Sequence, residues 1–114
     1  MVRVIYYETR VDVPIGKWPT EGDEAENLNR PCVDGIKGCI EKFRALRDET
    51  RDTDKAYDYG KCAILLSYAA ESGASLGVFA TSPPNISFLF KFDRLEDLNE
   101  FNEGVKNFNK NLGL

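Results

Sequence analysis

Three thiols, Cys32, Cys39 and Cys62, are the strongest nucleophiles in a chain of 114 residues that contains no histidine. Without histidine there is no Ser-His-Asp or Cys-His catalysis, no imidazole ligand for a metal and no ordinary side-chain switch near neutral pH. An odd set of cysteines without Cys-x-x-Cys spacing fits neither a disulfide framework nor a zinc knuckle. A helix holding both Cys32 and Cys39 separates them by roughly 10 Å along its axis, too far to bridge. All three are therefore expected to be small core hydrophobes. Lys61 and Cys62 are adjacent and, in a strand, point to opposite faces.

The oxygen-bearing groups are no more specific. Asp52-Thr-Asp54-Lys-Ala-Tyr-Asp58 has the opening of a calcium loop but lacks the fifth-position oxygen, the sixth-position glycine and the twelfth-position acid. A carboxylate pair between Glu8 or Asp12 and the 48–58 segment is open to the fold but is not written in the spacing. There is no glycine-rich phosphate loop after a strand. The expectation is a chain that is not an enzyme and carries no metal or cofactor.

Binding residues are easier to nominate. Trp18 is the single tryptophan, held between Pro14 and Pro19, where an exposed indole on a stiff loop would be a hot spot and a packed one a lid on the core. Net charge is −4, and it is concentrated: residues 1–20 carry +1, residues 21–60 carry −4 and residues 61–114 carry −1. Glu21, Asp23, Glu24 and Glu26 are the acids best placed to meet a basic partner. Arg3, Arg10, Tyr57 and Tyr59 are the polar groups expected around an aromatic small-molecule pocket, which a homodimer could build.

Gly35-Ile-Lys-Gly38, followed by Cys-Ile-Glu-Lys-Phe-Arg, resembles the GXXG loop and following helix of KH domains, over about a fifth of the chain. That resemblance implies a backbone grip on single-stranded nucleic acid, with Lys37 as its cation. Pro31, the position of the following isoleucine and the negative local charge depart from the pattern, so nucleic acid ranks behind protein and small molecule as a partner.

These residues need elements to hold them. Val2 to Val13 alternates and is rich in β-branched and aromatic residues, a strand that ends at Pro14. Residues 14–30, with two prolines, two glycines and a run of acids, predict a long loop. Pro31 suits a first helical residue, and Ile36, Cys39/Ile40, Phe43 and Leu46 continue one apolar face. Gly35 and Gly38 inside that helix each cost roughly 1 kcal/mol against alanine, which points to a close approach to the sheet. Cys62–Ala70, Leu76–Thr81 and Ile86–Phe92 predict three strands, the last two joined by Ser82-Pro83-Pro84-Asn85. Asp93 and Glu96 make a capping box for a helix striped by Leu95, Leu98, Phe101, Val105, Phe108 and Leu112.

The expected order is β-α-β-β-β-α: one α+β domain over residues 1–114, a two-layer sandwich with two helices on one face of a four-stranded, mostly antiparallel sheet. Ile5, Tyr7, Leu65, Phe79 and Leu89 would then form an apolar back face, bare for a partner or covered by the 14–30 loop. With no apolar run near the ~20 residues that cross a bilayer, and an N-terminus unlike a signal peptide, no membrane partner and a cytoplasmic location are expected. Small size, acidity and no catalytic set suit a non-catalytic inhibitor or adaptor that binds a protein by occlusion, of a kind phages often encode. The second expectation is a small-ligand domain.

Overall fold

A computed structural model describes residues 5–112. Their order is β1 (Tyr7–Pro14), α1 (Gly22–Asn29), α2 (Gly35–Glu49), α3 (Thr53–Glu71), β2 (Ser75–Ser82), β3 (Asn85–Phe92) and α4 (Leu95–Leu112). The class is α+β, but with four helices and a three-stranded antiparallel sheet in the order β1-β3-β2. This replaces the expected four strands and two helices.

Two segments account for the difference. Cys62–Ala70 is helix, the second half of α3. Its run of apolar residues shows alternation and helical spacing at once, and a buried helix cannot be told from a buried strand by periodicity alone. Its continuity with the residues before it decides the matter: from Tyr59 through Cys62, Ala63, Leu66 and Ala69 burial recurs at three- and four-residue spacing, and Asp52 caps the start by accepting from the amides of Asp54 and Lys55 at 2.9 and 3.3 Å. The aspartate pattern that resembled a calcium loop is this cap. The other segment is 14–30, where Gly22–Asn29 forms a two-turn helix with Ala25 and Leu28 buried and with Asp23 and Glu24 in its first turn, favourable at a helix N-terminus.

The β2–β3 hairpin stands as expected, its strands joined through a cis Pro83–Pro84 peptide. β3 is central. Ile86, Phe88, Phe90 and Phe92 on one of its faces are all buried, with Val13, Val11 and Thr9 of β1 and Thr81, Phe79 and Leu76 of β2 opposite them. Rings link this face to the helices: Phe43 of α2 meets Phe88 and Phe79 edge-on at 5.7 and 5.8 Å, and Phe101 of α4 meets Phe90 and Phe92 at 5.3 Å. Burying each such ring contributes about 1.5–3 kcal/mol. Tyr68 of α3 stacks on Phe101 at 5.4 Å, closing the helical layer.

α4 begins at Leu95, so Asp93 is one residue too early to be its cap, and Glu96 pairs with Arg94 Nε at 3.3 Å.

Candidate functional site

The segment between β1 and α1 is fastened to the first turns of α3. The Gly16 amide donates to Asp58 Oδ2 at 2.9 Å, Lys17 Nζ reaches Asp52 at 3.0 Å and Asp54 at 3.2 Å, and Glu24 accepts from Lys55 Nζ at 3.1 Å and Tyr59 Oη at 3.0 Å. Asp58 in turn holds Lys61 Nζ at 3.1 Å, a pair almost removed from solvent, with the Tyr57 ring 5.1 Å from the ammonium. Ile15 is buried and Trp18 packs on the core. The tryptophan is therefore a lid rather than an exposed anchor, and the 14–30 segment lies on the helical side of the sheet.

The nominated acids consequently divide. Glu24 is a structural tether, while Glu21, Asp23 and Glu26 are exposed along α1. The nominated ligand set does not converge. Arg3 lies outside the described residues; Arg10 stands on the open sheet face, bonded to Asp12 at 2.9 Å; Tyr57 is exposed on α3; Tyr59 is fully buried against Phe43. Burial, followed by its bond to the Glu24 carboxylate, pushes the Tyr59 hydroxyl far above its ordinary pKa.

The sheet face away from the helices is open. Glu8, Arg10 and Asp12 of β1, Ser87, Leu89 and Lys91 of β3, and Val78 and Ala80 of β2 occupy it by register. Asp12 accepts from Ser87 Oγ at 2.6 Å, and Arg10 followed by Ser87 holds its carboxyl below the usual carboxylate range. Asp12 is thus paired within the sheet, not with the 48–58 segment. Of the expected apolar back face only Leu89 lies here: Leu65 and Phe79 are on the helical side, and Ile5 and Tyr7 are exposed at the start of β1.

The two edges of the sheet differ. β1 presents Glu8, Arg10 and Asp12 and ends in Pro14, features that discourage another strand from pairing. β2, Ser-Leu-Gly-Val-Phe-Ala-Thr-Ser, has no charge and no proline. Its one interruption is a bulge between Leu76 and Val78, and from Val78 to Ser82 it is in regular register with β3. A cleft of about 330 Å³ runs along it, walled by Pro31, Cys32, Gly35, Leu76, Val78 and Phe79.

Next to this cleft the chain reverses sharply. Asp34 and Gly35 both have left-handed backbone, φ 62° and 63°, so α2 cannot start at Pro31 and begins at Gly35 instead. Gly38 sits under the turn, where a Cβ would overlap the Val33 carbonyl oxygen. Its close approach is to this turn and not to the sheet, and its amide points back to Asp34 O at 3.5 Å. The GXXG segment is therefore the first turn of a helix, not a loop that offers its backbone to phosphates.

Cys32 thus precedes α2 and only Cys39 lies within it, which corrects the expectation of one helix holding both. The neighbouring Cys39 thiol, against the opposing effect of burial and with help from the Lys42 charge, draws the Cys32 pKa down to about 7. Cys39, on the proton-holding side of the pair, is pushed up. Lys42 Nζ donates to Arg30 O and lies 4.7 Å over the Phe79 ring; burial lowers its pKa. Cys32, Val33, Gly38, Lys42, Arg30 and Glu49 line a cleft of about 260 Å³. Cys62 is fully buried, which raises its pKa. The signal for this arrangement in the chain is Asp34-Gly35-x-x-Gly38, two turn formers and a glycine three residues on.

Among the described residues no group of three His, Cys, Asp or Glu side chains is placed to hold a metal, and no helix is long and apolar enough to cross a membrane. Comparison with protein families, with curated proteins and with solved structures finds no match to this chain.

Proposed function

We propose that the chain is a non-catalytic interaction module, an inhibitor or adaptor that occludes a protein partner, and that an extended segment of the partner docks on β2. The supporting observation is the contrast between the edges: β1 carries three charges and a terminal proline, whereas Val78–Ser82 is an uncharged, regular and largely exposed edge. Strand addition to such an edge takes its affinity from main-chain hydrogen bonds and its selectivity from pockets for alternate side chains. The cleft between β2 and the 31–35 turn supplies such a pocket. Glu21, Asp23 and Glu26, exposed on α1, would steer a partner whose surface is basic.

Affinity capture from an extract of the source cells, read by quantitative mass spectrometry, tests this with Val78→Glu and Ala80→Lys against Arg10→Glu. A protein retained by the wild type and Arg10→Glu but lost from both β2 variants supports the reading. One retained by all four overturns it. A wild-type dimer that Val78→Glu dissociates would assign the edge to a second copy of the chain.

A further inference from the structure

Lys42, Ala45, Leu46 and Glu49 share one face of α2 at three- and four-residue spacing. α1 lies along this face in the opposite direction: the carbonyl of Arg30, at its C-terminal end, accepts from Lys42 Nζ, and Asp23 of its first turn lines a cleft with Glu49, Thr50 and Arg51. Two clefts between the helices, of about 260 and 290 Å³, share Asn27, Leu46 and Glu49 and so form one groove. No residue of β2 lines either of them, so the groove can be tested apart from the docking edge. The groove is polarised, with Lys42 and Arg30 at one end, Glu49 and Asp23 toward the other, and the apolar side chains of Ala45 and Leu46 between them. Among the described residues none of Lys42, Arg30 and Glu49 forms a salt bridge. Lys42 is partly buried, and its ammonium is held only by the Arg30 carbonyl and the Phe79 ring at 4.7 Å. Burial lowers its pKa, as expected of an ammonium that has given up water without gaining a carboxylate.

We propose that the groove between α1 and α2 binds a small linear zwitterion, an ω-amino acid whose carboxylate meets Lys42 and Arg30 and whose ammonium meets Glu49. Both charges of the ligand are needed. A carboxylate without an ammonium leaves Glu49 facing a like charge, and an amine without a carboxylate leaves Lys42 and Arg30 facing one. The spacing sets the length of the molecule. Two turns of α2 separate Lys42 from Glu49, about 10 Å along the axis, and a hydrogen bond of about 2.9 Å at each end leaves about 4–5 Å between the ligand's charged atoms. An α-amino acid is too short for that span, whereas 4-aminobutanoate matches it. The cationic part of the groove, about 260 Å³, is smaller than the about 300–1,000 Å³ of pockets for drug-sized ligands, which suits a molecule of a few carbons.

The experiment titrates the full-length, ¹⁵N-labelled chain with 4-aminobutanoate and reads amide shifts by NMR. Saturable shifts are expected at Val33, Lys42, Leu46 and Glu49. Butanoate and butylamine, each with one of the two charges, and glycine, whose charges are too close together, should bind at least about tenfold more weakly. Lys42→Gln and Glu49→Gln should each weaken 4-aminobutanoate by about tenfold. Glu49 is exposed at the end of α2, so its variant keeps the test open if Lys42→Gln fails to fold. Lys37→Gln and Glu41→Gln, on the side of α2 that faces α3, should leave the affinity unchanged. The proposal is overturned if 4-aminobutanoate gives no saturable shift, if butanoate, butylamine or glycine binds as tightly, or if Glu49→Gln binds as the wild type does.

Discussion

The hydroxyl of Tyr59 donates to Glu24 Oε1 across 3.0 Å, joining a fully buried ring of α3 to an acid that begins α1. One carboxylate thereby holds two helices together, since its second oxygen takes Lys55 at 3.1 Å. Glu24→Ala leaves the phenol without its acceptor in a place water cannot easily reach, and should cost about 1–3 kcal/mol of unfolding free energy. Glu24→Gln keeps the acceptor and loses only the charge on Lys55, a partly exposed pair, so its cost should stay below about 1 kcal/mol. Urea titrations of the two variants check the order. Equal losses would mean that the charge, not the hydrogen bond, does the fastening.

Asp52 makes the same connection one turn earlier. The Lys17 ammonium, and then the α3 amides, hold its carboxyl below its ordinary value of 3.8. Because the folded chain favours the ionised form, the stabilisation is complete above pH 3.8 and is lost as pH falls through the lower folded value. Asp52→Asn preserves the cap through its amide oxygen and removes the titration. The stability difference between wild type and Asp52→Asn should be constant above about pH 5, shrink below about pH 4 and fall with added salt, as expected for an exposed pair. A difference that persists to pH 2 would show that Lys17 does not act through the Asp52 charge.

β3, the hairpin and the α4 stripe were legible because each is half-buried: one side faces rings and the other solvent, so the pattern carries the period. α3 was not, since it touches the sheet, α2 and α4, and Cys62–Ala70 is apolar but for Ser67. Its cap, Asp52, and its first buried residues, Asp58 and Tyr59, lie upstream of that run. α1 was hidden by its acids, which leave only Ala25 and Leu28 to mark a face. Pro31 is a residue type that suits a helix start, but the left-handed Asp34 and Gly35 that follow it keep Cys32 out of α2. Acids were legible as a segment, but their roles were set by which of them met Lys55 and Tyr59.

Gly38 tests the turn itself. A Cβ at this position meets the Val33 carbonyl, a backbone atom that cannot swing aside as a side chain would. Gly38→Ala should destabilise the fold by about 2–3 kcal/mol, at the upper end of ordinary single substitutions, although alanine is the better helix former. Gain of stability, as for an unconstrained helical glycine, would show that the turn yields at little cost.

Among the described residues, Lys61 and Asp58 form the one ion pair whose side chains are both nearly excluded from solvent, 7% and 11% exposed. Such a pair is weak evidence for stability as a whole, yet removing one member strands the other. The two members are not equivalent here. With Lys61→Met, Asp58 keeps the Gly16 amide at 2.9 Å as a donor; with Asp58→Leu, the ammonium keeps only the face of Tyr57 and the Gly16 amide loses its acceptor. Asp58→Leu should therefore cost about 3–5 kcal/mol and Lys61→Met less, and the double variant should recover part of the Asp58→Leu loss because no unpaired charge is left inside. Chemical unfolding of the three variants gives the coupling directly. A double variant as unstable as the sum of the singles would mean that the two charges do not sense each other.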